Sequence, residues 1–392
     1  MNACLESHPT ETSPALAAGA PCVGFWQAGF DGADHVNGSA IPLCGNTLTA
    51  HVRNAAEDYR RLSELGIRTV RESAGWRCIE RSGGYDFSSV GARAKRASEA
   101  GMQVLWTCFH YGMPRGLDLF SAEFGERFAR YCGALARYLR PYHRGDTAPV
   151  YTPIHEISTL CRTVCETRLL HPYRGDRAEE MSALRRQLVR AHIMACDAIF
   201  QADPRARILV VDPLLHLTSS DPARTQDAQR ANQEQFLAWD MLCGRSEPDL
   251  GGDRCYLDLI GISYYADHQR DLATGQTLPW WPDHPRRRPL SSMLAELHVR
   301  YGRPITIGAT GHQGEQRAAW LAHVAHEVRR ARNEGIPVTG LCLYPAIDRP
   351  DWEQPQRWHP SGLWHVDPTT FRRRLNRPYA SALGLAQTLI PT

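Results

Sequence analysis

The stretch Tyr301–Gly311, YGRPITIGATG, decides how the chain reads. Ile305 and Ile307 alternate with Thr306 and Gly308, a period of two that predicts a buried strand over Pro304–Ala309. A helical pattern ends before it near Gly302, and a Gly-containing loop follows. In a βα barrel the residue that closes such a strand points into the mouth, where chemistry sits. Here that residue is Ala309, and a methyl group does no chemistry.

The same alternation of patterns extends in both directions. Strands are predicted at Cys22–Ala28, Ile67–Glu72, Gln103–Phe109, Val150–Ile154, Ile208–Asp212, Leu257–Ser263 and Val338–Leu343. Helices are predicted at Ala55–Leu65, Val90–Ala100, Phe124–Leu139, Met181–Ala202, Asn232–Leu242, Pro289–Tyr301, Ala318–Asn333 and Phe371–Leu385. Gly66, Gly101 and Gly335 stand where helices should stop. Eight strands alternating with about eight helices predict a single α/β (β/α)₈ TIM barrel over 22–392, after a loose polar arm at 1–21.

Composition sets outer bounds. With 43% hydrophobic and 22% charged residues the chain reads as a globular protein. Net charge is +3, and Lys95 is the only lysine among 45 basic residues. Arg286–Arg288 and Arg372–Arg374 are too short to suggest a nucleic-acid partner. No apolar run approaches a membrane span, and residues 1–20 lack the basic and apolar regions of an export signal. The expected location is cytoplasmic. The twelve cysteines form no CxxC pair and are expected to be reduced and structural. A homo-oligomer is compatible with all of this.

The predicted strand ends are rich in polar and aromatic groups. Gln27 and Asp31 follow the first strand, with Asp34 and His35 in the same loop; Arg71 and Glu72 end the second. His110 and Tyr111 end the third, His155 and Glu156 the fourth, and Asp212 and His216 the fifth. Tyr264 and Tyr265 end the sixth, and Tyr344 and Asp348 the eighth, with Trp352 beyond. The seventh ends in nothing ionisable.

From about Phe25 to Asp367 the chain resembles the family 1 β-glucosidases, in the large clan of retaining glycosidases built on (β/α)₈ barrels. ELGIRTVRESAGW is similar to the family's "LGI…YRFSISW", WTCFHYGMP to "LYHWDLP", and YTPIHEI to "W.T.NEP". DLIGISYY is similar to "DFIGINYY", and GLCLYPAIDRPDWE with SGLWHVD to "GYFAWSLLDNFEW" with "FGLVYVD". The resemblance implies a retaining β-glycoside hydrolase without a cofactor, acting on a carbohydrate. It makes Glu156 the acid/base, residue 309 the nucleophile position, and Arg71 and Tyr264 the groups that orient the nucleophile. Gln27, Asp31, His35, His110, His155, Tyr344, Asp348 and Trp352 become candidate substrate contacts, with Trp280 or Trp281 as a further aromatic.

Three departures stand out. His155 replaces an Asn, Tyr344 a Trp, and PITIGATG stands where the family has "PIYITENG", so that Ala309 replaces the nucleophilic Glu. Retaining hydrolysis needs a carboxylic acid to protonate the leaving oxygen and a carboxylate about 5–5.5 Å away to capture the anomeric carbon. With Ala309 the second is missing, so the chain is expected to hydrolyse little or nothing. A deliberate Glu→Ala change in an active enzyme explains an otherwise intact mouth. A naturally non-catalytic sugar-binding protein is the alternative, a transglycosylase a further one, and Glu315 or Asp348 as replacement carboxylates another. A metal-dependent hydrolase using His110, His155, His216, His268 and His312 is disfavoured, because no HxH or HExxH pattern is present, and no metal is expected.

Overall fold

Four outer helices end on glycines in the left-handed region, Gly66, Gly101, Gly302 and Gly335, where a side chain would be strained. Each turns the chain back into a strand, and that repeated reversal builds the barrel. In a computed structural model of the chain, residues 21–391 are described apart from 83, 144–146, 175–177 and 283. The expected arm at 1–21 therefore lies almost wholly outside the described residues.

Eight parallel strands close on themselves: β1 (Trp26–Gly29), β2 (Thr69–Ser73), β3 (Gln103–Phe109), β4 (Val150–Ile154), β5 (Arg207–Pro213), β6 (Leu259–Ser263), β7 (Ile305–Thr310) and β8 (Val338–Leu343). β1 bonds to β2 on one side, with Gly29 opposite Arg71, and to β8 on the other, with Trp26 opposite Leu341. Around them lie α1 (His51–Glu64), α2 (Ser88–Glu99), α3 (Ala122–Leu139), α4 (Ile157–Cys165), α5 (Ala178–Ala202), α6 (Thr225–Glu234), α7 (Leu237–Leu242), α8 (Leu290–Tyr301), α9 (Arg317–Asn333) and α10 (Arg377–Leu389).

Strand alternation divides the apolar residues into two cores. Leu105, Val150, Leu209, Val211 and Leu259 form a small cluster of their own, consistent with the barrel interior. Their strand neighbours Trp106, Tyr151, Ile208, Val210 and Ile260 join the larger cluster against the helices. Glycine makes room where the interior is crowded: a Cβ on Gly340 would lie 2.3 Å from Gln27 Nε2.

Two predicted helices need correction. The closing helix begins at Arg377, not Phe371, because Arg373–Leu375 pair antiparallel with Trp364–Val366. Asn376 then accepts the Tyr379 N–H at 2.9 Å, and Pro378 sits in the first turn, where its missing N–H costs nothing. The helix predicted at Asn232–Leu242 is broken into α6 and α7. α4, directly after Glu156, was not foreseen. Among the described residues ten cysteines are free, but Cys255 is disulfide-bonded, contrary to the expectation of reduced thiols throughout. No helix among the described residues is long and apolar enough to cross a membrane.

Glu72 has a structural role. It points from β2 into the helix layer, where it accepts from Arg93 at 2.6 Å, His51 at 2.7 Å and Tyr59 at 2.7 Å. His51 also meets Asp58 at 2.9 Å, and Asp58 meets Arg373 at 3.0 Å. Burial opposes each charge, yet His51 and Arg93 hold Glu72 down at about 2. Breaking one member strands the other charges away from water. Glu72→Gln is therefore expected to lose about 3–5 kcal/mol of unfolding free energy, read by chemical denaturation; a loss below about 1 kcal/mol contradicts the account.

Candidate active site

The C-terminal strand ends open onto one cavity of about 550 Å³. Arg71, His110, Tyr111, His155, Glu156, Tyr265, Tyr344, Arg349 and Trp352 line it, with residues 311–313 after β7 and Ser361 on a later loop.

Glu156 sits on the turn from β4 into α4. Its backbone is left-handed (φ +46°), a conformation that costs a non-glycine residue about 1–3 kcal/mol. Bonds on both sides hold it there: its N–H donates to Val211 O and its carbonyl accepts from Leu160, each at 2.9 Å. The strained turn aims the carboxylate into the cavity. The Ser263 hydroxyl, from the end of β6, donates to Oε1. His155 Nε2 lies 3.5 Å from the same oxygen.

Asp212 ends β5 and is fully buried. Its two oxygens accept the Ser158 N–H at 3.0 Å and the Ser158 hydroxyl at 2.7 Å. Burial pushes its carboxyl up to about 7, the Ser158 bonds opposing and the Glu156 charge adding to the rise.

His110 and His155 are neutral bases. Burial, with Arg71 nearby, brings His110 down to about 3, and its Nδ1 lies 2.9 Å from Ser73 Oγ. Burial, Arg71 and His110 together hold His155 well below the usual imidazole range. His155 can therefore accept from Arg71 Nη1, 3.2 Å from its Nε2. The two imidazoles meet edge to face with centroids 4.6 Å apart.

Asp31 lies just behind the lining. Its Oδ2 accepts the Trp352 indole N–H at 3.0 Å and is 3.7 Å from Arg349 Nε. Burial alone would raise it, but Arg349, His110 and the Trp352 and Ala33 hydrogen bonds leave it below the ordinary carboxylate range. The Trp352 ring is thereby pinned upright beside His35 and His110.

Arg71, His110, His155, Glu156, Tyr344 and Trp352 thus meet at one cavity, with Asp31 as support. Other candidates do not reach it. Tyr264 points outward, its ring stacked 5.7 Å from Trp320 and its hydroxyl bonded to Gln269 at 2.8 Å. Tyr265 faces the cavity instead. Ser263 points inward to Glu156, and alternation sends residue 264 out and 265 back in. Gln27 is turned down inside the barrel, its Nε2 3.4 Å from Gly24 O. His35 is buried behind Trp352, lowered to about 4 by burial, with neither ring nitrogen bonded. Asp348 is spent on the β8 loop, accepting from Ser361 N at 2.9 Å, Gly362 N at 2.8 Å and His365 Nδ1 at 3.0 Å. Trp281 is exposed and Trp280 packs on Trp320.

Ala309 is buried at the end of β7, the register partner of Ser263. Glu315 lies on a short 3₁₀ turn further along that loop. Arg349, which no quoted motif singled out, lines the mouth. Its signal in the sequence was its place between Asp348 and Trp352, in the loop after β8. Among the described residues, no three His, Cys, Asp or Glu side chains come together as a metal site.

No protein-family model and no curated protein matches the sequence. Among solved structures the chain is similar to the β-glucosidase of Thermotoga maritima in complex with castanospermine, at 15% identity and a TM-score of 0.73, over 93% of this chain and 97% of that one. It is similar also to the β-glucosidase of Pyrococcus furiosus (15%, TM-score 0.72, 93% and 95%) and the β-glycosidase of Thermosphaera aggregans (18%, 0.70, 86% and 85%). At such identities the likeness is one of fold. The chain has the (β/α)₈ barrel of the β-glucosidases.

Asp212 yields a pH test. Its folded carboxyl, at about 7, holds a proton that the unfolded chain releases above its ordinary value of 3.8. Its contribution to stability therefore falls as pH rises from about 4 to about 7 and is level above that. Asp212→Asn removes the effect, so Tm of the variant relative to wild type should climb across that window and then plateau. A difference that stays flat from pH 4 to 8 contradicts the assignment.

Proposed function

We propose that the barrel mouth binds a β-linked glycoside, and that the scaffold is that of a retaining β-glycoside hydrolase in which residue 309 is the nucleophile position. The observation that carries this reading is Glu156: a carboxylate on a strained turn, facing a cavity lined by the neutral His110 and His155, aromatic rings and the guanidinium groups of Arg71 and Arg349, on the barrel shared with β-glucosidases. Glu156 would protonate the departing oxygen and afterwards take a proton from the incoming water. The rings of Trp352 and Tyr344 suit the C–H faces of a sugar, and His110 and His155 suit its hydroxyls as acceptors. Ser263 orients the Glu156 carboxylate, and Ala309 lies beside Ser263 in the sheet, which supports a nucleophile position within reach of the same sugar.

With a methyl group at 309, double displacement lacks its second carboxylate. The chain as it stands would hold a glycoside and turn it over little. A sugar-binding role without catalysis is a second reading, favoured by that same methyl group; transglycosylation would use the same residues once a nucleophile is present.

Restoring the carboxylate separates these readings. Ala309→Glu is expected to hydrolyse at least one aryl β-glycoside from a broad panel with retention of configuration. Adding Glu156→Gln to it should lower kcat by about 10²–10⁴. A correctly folded Ala309→Glu chain that cleaves no member of the panel ends the hydrolase reading.

Small anions give an independent check on the unaltered chain. Formate or azide should fill the space beside Ala309 and restore release of an activated aryl leaving group, measured by absorbance. No rescue at high anion concentration counts against residue 309 as the nucleophile position.

A further inference from the structure

We propose that the ligand of this cavity carries its own oxyanion, a carboxylate or a phosphate, and that Arg71 binds it. The inference goes beyond the carbohydrate reading and rests on it only for the neutral part of the ligand.

Buried guanidinium groups in this chain are matched by carboxylates. Arg93 has Glu72 at 2.6 Å, Arg373 has Asp58 at 3.0 Å, and Arg317 has Asp348 at 3.9 Å. At the mouth itself, Arg349 has Asp31 at 3.7 Å. Arg71 breaks the pattern. It is only 4% exposed, yet among the described residues no carboxylate lies within 4 Å of it. Among the described residues its guanidinium hydrogen-bonds only the His155 ring, a neutral acceptor that offsets no charge.

The rest of its surroundings fix the guanidinium without neutralising it. Its Cζ lies over the Tyr344 ring, 5.1 Å from the centroid. Gly29 lets it lie flat, since a Cβ there would come within 3.3 Å of Nε. Glu156 faces the same cavity but is bound to Ser263 instead. β7, which pairs with β6 and β8, brings no ionisable side chain at its end, where Ala309 stands.

Glu156 acts on Arg71 only from beyond contact distance, and a buried guanidinium with no carboxylate in contact is costly, while its planar fork of N–H donors is well matched to a carboxylate or phosphate. An anion entering the cavity gains a charge-assisted bond to a donor already held in place. Arg349, at the cavity wall, supplies a second cation for the same group.

Calorimetric titration of the full chain with inorganic phosphate, D-glucuronate and methyl β-D-glucoside tests this. At least one of the two anions should bind tenfold or more tightly than the glucoside. That advantage should vanish in Arg71→Gln and survive in part in Arg71→Lys. Binding of phosphate alone assigns the site to a free anion; binding of glucuronate alone assigns it to an acid group on the sugar. The wild-type comparison stands even if a variant does not fold.

Glucoside binding as tight as both anions, or an anion advantage retained in Arg71→Gln, overturns the inference and leaves the carbohydrate reading intact. Phosphate bound through Arg71 with neither sugar bound does the reverse.

Discussion

Closure of the sheet is the constraint on which everything else depends. β1 is bonded to both β2 and β8, so residues from both ends of the chain stand side by side: Gly29 beside Arg71, and Trp26 beside Leu341. Once the strands are parallel and closed, their ends share one rim, and groups far apart in sequence must meet there. Asp31 and Trp352 are hydrogen-bonded although 321 positions separate them. Arg71 and His155 are joined across 84.

Burial then decides the charge state of what meets. Imidazoles that would be half protonated in water are neutral here, because removal from solvent disfavours their cations and Arg71 adds repulsion. Carboxylates diverge according to their partners. Asp31, beside Arg349 and the Trp352 indole, is held ionised, whereas Asp212, for which burial outweighs the Ser158 bonds, is pushed towards neutrality. Three carboxylates within one rim thus have three environments: Asp31 is braced, Asp212 is sequestered, and Glu156 is presented to the cavity. The cavity is mostly aromatic and polar-neutral, with charge confined to a few fixed points.

Much of this was legible in the sequence because barrel strands are buried on both faces and announce themselves as β-branched runs. All eight were located, and Pro304–Ala309 matched Ile305–Thr310 within a residue. Glu156, His110 and Arg71 followed, since a strand end has only one mouth to enter. The differences lie where a single residue changes direction. The resemblance points to Tyr264, whereas alternation counted from Ser263 brings Tyr265 to the cavity. Gln27 lies one strand position too deep to emerge at the rim. Asp348 was read as a sugar contact, but its acceptors are consumed by the N–H groups of a loop, and no local pattern reveals a loop's path. The Arg373–Leu375 strand was hidden in a segment that also suits a helix, and its tie to Asp58 spans 315 positions.

Arg71 and Glu72 stand back to back on β2, one facing the cavity and the other the helix layer. Adjacent residues in a strand point to opposite sides, so a slip of one position would exchange them. The guanidinium would enter the helix layer among Arg93, His51 and Arg373, and a carboxylate would enter the mouth. Each misplacement alone would be prohibitive, and both would occur together. The sign of charge at the centre of the cavity is therefore guarded by a buried network that never touches a ligand: the barrel's register and the mouth's polarity are one choice.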